Sequence, residues 1–171
     1  MTCRIGQVAG KRVTVSAAQP DDLPRLLPLV EAYYAFEGIP FEPARATCAL
    51  RDLVDNPQYG RIWLIRKGEE PIGYAVLCYS YSVENGGRDA LVDELFLREP
   101  YRGQGIGRQI LCQTFKEMKA LGVKSVCLEV ARDNRRAQNF YRSLGFDARG
   151  KYMLMEFELG EAKLAPGPTL A

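Results

Sequence analysis

No histidine occurs in the 171 residues of this chain. That excludes Ser-His-Asp and Cys-His nucleophile machinery, the H-E-x-x-H zinc site and any imidazole proton shuttle. Acid–base work must fall to carboxylates, tyrosine, lysine, cysteine or bound water. The five cysteines (Cys3, Cys48, Cys78, Cys112 and Cys127) are odd in number and form no C-x-x-C pair, so the sequence spells out neither a disulfide framework nor a zinc ribbon. Cys78, Cys112 and Cys127 lie in apolar strand or helix patterns, where a free thiol serves as a small buried hydrophobe. Long apolar runs are missing too. Ala75-Val76-Leu77-Cys78 is soon broken by polar residues, far short of the roughly 20 that span a bilayer. Met1 to Gln7 carries no signal-peptide core. Net charge is only +2, from 23 Lys and Arg against 21 Asp and Glu, and no basic run suggests nucleic acid. A cytoplasmic protein engaging neither membrane nor nucleic acid is expected, of about one domain's length.

What the chain does have is glycine at alternate positions in Arg102-Gly103-Gln104-Gly105-Ile106-Gly107, between a strand-like run and a helix-like run. Glycine lets the backbone curl and a ligand approach its amides. A helix starting there aims unpaired N–H groups and its positive dipole end at that ligand, which makes an anion site suited to phosphate. A P-loop is excluded, because Gly107 is followed by Arg108 and Gln109 rather than Lys and Ser or Thr. A dinucleotide fingerprint is excluded as well. The spacing is G-x-G-x-G, and the Gly122-Val123-Lys124 turn stands where the ribose-binding acid would be.

Along the chain, residues 1–11 read as a leader and 161–171 as a flexible tail, with a single domain over 12–160. Strands are expected at 12–18, 61–66, 72–81, 90–97, 126–130 and 152–159. Helices are expected from Pro20 with Leu23, Leu26, Leu27, Val30 and Tyr34 on one face, over 43–54, after the glycine loop to Gly122, and from Asn134 to Leu144. Asn134 reads as an N-cap. The order, βααβββ then αβαβ, predicts one mixed sheet covered by helices.

The stretches Leu91-Val92-Asp93-Glu94-Leu95-Phe96-Leu97, Tyr101 to Gly107, Leu128-Glu129-Val130, Asn134 and Asn139-Phe140-Tyr141-Arg142-Ser143-Leu144-Gly145-Phe146 together resemble the GNAT superfamily of N-acetyltransferases. Arg102, Gly105 and Gly107 match its R-x-x-G-x-G signature, and Phe140-Tyr141 with Gly145-Phe146 matches its F-Y-x-x-x-G-F segment. The resemblance implies an α+β fold, a strongly twisted mixed sheet of six to seven strands flanked by about four helices. It implies acetyl-coenzyme A as co-substrate, no metal, and transfer to a primary amine by direct attack through a tetrahedral intermediate. Pyrophosphate would lie on Gly103, Gln104, Gly105, Ile106, Gly107 and Arg108, with Arg102 beside it. The acyl-pantetheine arm would add as a strand along Leu95, Phe96 and Leu97, against Asn134. In the family, a bulge splays that strand from its parallel neighbour.

Tyr141 would protonate the departing thiolate, since a phenol with pKa of about 10 holds its proton at neutral pH. Asp93 and Glu94 are the base or cation-binding candidates. Adjacent on a strand, they point to opposite faces, so only one would face the substrate. The first helices would shape the acceptor pocket, where Tyr33, Glu37 and Glu42, with Tyr34, Phe36 and Phe41, offer aromatic and acidic character suited to a small cationic amine. Tyr79 and Tyr81 are further candidates, and Tyr34 reads as core. A protein N-terminus or lysine is the alternative acceptor, and a silent acyl-CoA-binding regulatory module the alternative function. The resemblance also suggests a homodimer.

Overall fold

The computed structural model describes residues 2–8, 11–155 and 157. Its elements run β1 (Thr2–Val8), β2 (Lys11–Ala17), α1 (Leu23–Glu37), α2 (Pro43–Asp55), β3 (Gly60–Lys67), β4 (Glu70–Ser82), β5 (Gly87–Leu97), α3 (Ile106–Ala120), β6 (Ser125–Leu128) and α4 (Arg135–Ser143). The strands form one six-stranded sheet in sequence order. Neighbours are antiparallel from β1 to β5, and β5·β6 is parallel. Parallel pairing cannot be closed by a tight turn, so α3 serves as the crossover. This is the expected mixed α+β architecture.

The sheet is covered on both faces. On one, Leu26, Leu29 and Val30 of α1 and Ala46 and Leu50 of α2 pack on Ile62, Leu64, Tyr74, Val76 and Phe96. On the other, Ile110, Leu111 and Met118 of α3 pack on Val13, Trp63, Ile65, Ala75, Leu77 and Val92. With both faces covered, β3 and β4 are buried almost continuously rather than alternately. Asp22 fixes the start of α1 to the sheet. Its buried carboxylate accepts from the Arg66 guanidinium at 2.6 Å and from the Gln19 amide at 3.1 Å. Gly38, at φ 72°, ends α1 in the left-handed conformation.

Three expectations change. Residues 2–8, read as leader, form β1 along β2, from Thr2 opposite Ser16 to Val8 opposite Lys11. Its partner gives the edge of β2 the backbone hydrogen bonds that an edge strand otherwise lacks. The strand expected at 152–159 is absent from Tyr152–Met155 and Phe157, where the chain is irregular and Tyr152 to Met155 are exposed; the rest of that segment and the tail 161–171 lie outside the described residues. Cys112 and Cys127 are exposed rather than buried, Cys112 on the outer side of α3 and Cys127 on the last described strand, while Cys78 is half-buried. Among the described residues no helix is long and apolar enough to cross a membrane.

Candidate active site

The bulge that sequence could not reveal lies in β5. Val76 pairs with Glu94 but Leu77 pairs with Val92, leaving Asp93 as an extra residue with no partner on β4. Beyond Val92, whose partner is Leu128, β5 has no further pairing with β6. The two strands therefore part, and the edge of β5 from residue 93 onward faces a cleft of about 560 Å³. That volume suits an organic ligand. Val92, Asp93, Leu95 and Leu97 line one wall, α1 contributes Tyr33, Phe36 and Glu37, and the opposite side carries Val130, Asn134, Phe140 and Tyr141.

The glycine turn closes one end. Gly103 and Gly105 adopt φ 74° and 77°, which a side chain would strain, and nothing lies within 4 Å of a Cβ placed on Gly105. Gly107 serves a different need, since a Cβ there would sit 3.4 Å from the Phe140 ring of α4. No side chain caps α3, and the first amide bonded back into the turn is that of Gln109, to the Gly105 carbonyl. The N–H groups of Ile106, Gly107 and Arg108 thus lack intrahelical partners at a wall of the cleft. Arg136, also in the wall, has its guanidinium 3.8 Å from the Gly103 Cβ position. Positive dipole, free amides and a cation converge there, as an anion requires.

The residues named from sequence sort unevenly. Arg102, Gly103, Gly105, Ile106, Gly107, Arg108, Leu95, Leu97 and Asn134 line the cleft. Arg102 is partly committed: its Nε donates to the Leu97 carbonyl at 2.7 Å and its guanidinium lies over the Phe36 ring at 4.5 Å. It thereby clips α1 to the end of β5 and occupies one acceptor on the strand edge. Arg108 donates to the Ser143 carbonyl at 2.9 Å, tying α3 to α4. Gln104 turns away and donates to the Pro100 carbonyl. Phe96 points to the opposite face, beneath α1 against Tyr33 and Tyr74. Asn134 caps α4 as read, accepting from the Ala137 amide at 3.0 Å.

Tyr141 is half-buried in the cleft wall beside Phe140 and Phe146. Burial, and then the Glu37 carboxylate, push its phenol above the usual range, so it is protonated at neutral pH. Tyr33, also lining the cleft, is pushed up to about 12 by burial and then by Glu37.

The expectation that Asp93 and Glu94 would face opposite sides does not hold, because the bulge breaks the alternation. Cys78 and Glu94 lie on the α1–α2 face, and the Cys78 thiol reaches the Asp93 carboxylate at 3.9 Å. Asp93 lines the main cleft, whereas Glu94 does not. Both line a second cavity of about 120 Å³ under α1 and α2. Glu94 accepts from the Tyr74 hydroxyl at 2.6 Å. Burial raises the pKa of each carboxyl; the Tyr74 hydrogen bond pulls Glu94 back partway. Asp93 is solvent-accessible all the same, and it is common to the linings of the two cavities.

Three acceptor candidates fall away. Glu42 stands just before the first turn of α2, its side chain making no capping hydrogen bond, and lines neither cavity. Tyr79 faces α3, where its hydroxyl meets the Met118 sulfur at 3.2 Å and Arg88 stacks on its ring. Tyr81 is exposed beyond the covered sheet. Conversely, Tyr34 is more than core: it lines the small cavity, and burial and the Glu94 charge raise its pKa. Arg136 also escaped the sequence reading, although its place two residues after the Asn134 cap puts it on the first turn of α4.

This fold and cleft define a class: an α+β domain whose sheet parts over a cleft, with the uncapped amides of a helix start at one end and a carboxylate and a tyrosine in its walls. Residues 26–146 match the Acetyltransferase (GNAT) family, and the chain belongs to that family. It is similar to a thialysine N-epsilon-acetyltransferase of Bos taurus, 32% identical over 74 residues, 43% of each chain. It is 27% identical over 93 residues to an uncharacterized N-acetyltransferase of Bacillus subtilis (strain 168), covering 54% of this chain and 58% of that one. The chain thus spans about half the length of such curated relatives. A solved integron cassette protein from the mobile metagenome of Cole Harbour Salt Marsh superposes with a TM-score of 0.77 at 32% identity, over 86% of this chain and 91% of that one.

Proposed function

We propose that the protein is an acetyl-CoA-dependent N-acetyltransferase acting on a primary amine. The observation that carries this reading is the meeting, in one cleft, of an unpaired strand edge, an uncapped helix start at a glycine turn, a carboxylate and a protonated tyrosine. Acetyl-CoA supplies an acetyl group activated as a thioester. The amides of Ile106 to Arg108 and the Arg136 guanidinium would hold its pyrophosphate, and the edge of β5 around Leu95 its pantetheine amides. The Leu97 carbonyl, already bonded to Arg102, has less to offer.

An acceptor amine arrives mostly as an ammonium, its pKa being about 10. Asp93 would take one proton, directly or through water. The freed lone pair then adds to the thioester carbonyl to form the N–C bond, and the C–S bond breaks as the carbonyl re-forms. Tyr141 would deliver a proton to the sulfur and recover one from solvent, as the second N–H proton departs. The net products are an amide, a thiol and one proton. The name of the bovine relative, an N-epsilon-acetyltransferase, agrees with a terminal amine as acceptor.

Replacing Tyr141 with Phe is expected to lower kcat by about 10²-fold or more while leaving the KM for acetyl-CoA nearly unchanged. Thiol release from acetyl-CoA with an amine panel measures it. An unchanged kcat would remove the acid role. Tight acyl-CoA binding without thiol release for any amine or peptide would indicate a binding module instead.

A further inference from the structure

The second cavity has no basic residue in its lining, unlike the main cleft with Arg102, Arg108 and Arg136. Its walls are hydrocarbon, from Val30 of α1, Leu50 and Leu53 of α2 and Val76 of β4, and its polar end is formed by Asp93, Glu94 and the Tyr34 ring. Asp93 is common to the linings of both cavities, so a group held at that residue lies beside the cleft that carries Tyr141. The volume, about 120 Å³, falls a little short of one that takes benzene, roughly 150 Å³. It therefore holds an occupant of about four or five carbons. No second carboxylate lines the far walls to meet another positive charge. Arg45 instead lies close enough to act on the Tyr34 hydroxyl with its own positive charge. Burying an uncompensated ammonium beside hydrocarbon is unfavourable.

We propose that this cavity is the acceptor site and that it selects a monoamine with a short hydrocarbon tail, the ammonium at Asp93 and Glu94 and the tail between α1 and α2, in preference to diamines and polyamines. The inference rests on the N-acetyltransferase reading and narrows its acceptor class. The proton and bond changes are those already given: the amine nitrogen bonds to the acetyl carbon, coenzyme A leaves as the thiol, and one proton is released.

The test is a homologous series, ethylamine, n-propylamine, n-butylamine and n-hexylamine, with putrescine as the charged counterpart of n-butylamine, followed by thiol release. Each methylene buried is expected to raise kcat/KM by about fourfold up to n-butylamine. The gain should stop by n-hexylamine, and putrescine should lie about tenfold below n-butylamine. Ala49 lines the mouth from the exposed side of α2, so Ala49→Trp narrows the entrance without touching the core. It should flatten the series and leave the dissociation constant of coenzyme A unchanged. Calorimetric titration of n-butylamine into the coenzyme A complex gives a readout that does not need turnover, and Ala49→Trp should weaken it about tenfold. Thiol release with a flat series, or a preference for putrescine, would overturn the cavity assignment and leave the transferase reading intact. Binding lost in Ala49→Trp, but no thiol release with any amine, would overturn the transferase reading and uphold the cavity. Neither binding nor release would overturn both.

Discussion

Asp93 and Glu94 show how far a residue's role depends on one backbone irregularity. From sequence, strand alternation sends them to opposite faces. The bulge instead sets both on the small cavity, with Asp93 lining the main cleft as well, and burial raises both carboxyl pKa values. If the pair governs the acidic limb of kcat/KM, that limb lies above the ordinary carboxylate range of about 4. Asp93→Asn removes the negative charge that helps raise Glu94, so a limb that survives in the variant should move to lower pH, as a pH–rate profile reads. A stability consequence follows for Glu94. The folded state holds this proton more tightly than the unfolded chain, so stability falls as pH rises from the ordinary glutamate pKa through the raised one. Glu94→Gln keeps an acceptor for the Tyr74 hydroxyl and has no charge to desolvate. Its stability relative to the parent should therefore be greater at pH 8 than at pH 4 in urea titrations; equal differences would contradict the assignment. The places of Asn134 and the glycines were legible because local pattern fixes them, whereas Tyr141 was singled out by its resemblance to a family motif. Tyr79 and Glu42 were misread because which face of β4 meets α3, and which way α2 starts, are set by partners distant in sequence.

At the scale of elements, the stop and start signals carried over best. Gly38 ends α1, Gly122 follows α3, and Asn134 caps α4, each by local backbone chemistry. β1 was not legible, because a strand exists only with a partner, and the partner edge of β2 is a tertiary fact. The bulge was hidden for the same reason: it is a property of pairing between β4 and β5, not of either alone. Within the glycine turn, the two kinds of glycine separate by experiment. Gly105→Ala meets no neighbour, so its cost is backbone strain at φ 77°, about 1–2 kcal/mol, with weaker coenzyme A binding as the turn relaxes. Gly107→Ala meets only the Phe140 ring at 3.4 Å, and should cost less than Gly105→Ala. Thermal denaturation and coenzyme A titration of the two variants check the order.

At the scale of the whole molecule, one sheet with helices on both faces leaves its C-terminal side the least enclosed among the described residues. β6 is four residues long, and α4 buries no residue fully. A ligand that fills the cleft between β5 and α4 would join the two sides. Coenzyme A at 100 times its Kd is expected to add about 2.7 kcal/mol to stability, several degrees in Tm for a domain of this size. Gly105→Ala should shrink the shift at the same concentration. A Tm indifferent to coenzyme A would argue against the cleft as its site.

Where β5 leaves β6, the backbone groups from residue 93 onward that face away from β4 have no β6 partner, the Leu97 carbonyl being held by Arg102 instead. Such groups are what a stray polypeptide needs to add itself as a further strand, and proteins ordinarily blunt or cover them. Here the geometry that admits a ligand forbids a permanent cover. Left empty, that edge would invite strand addition from other chains, and a ligand seated along it would act as a chaperone.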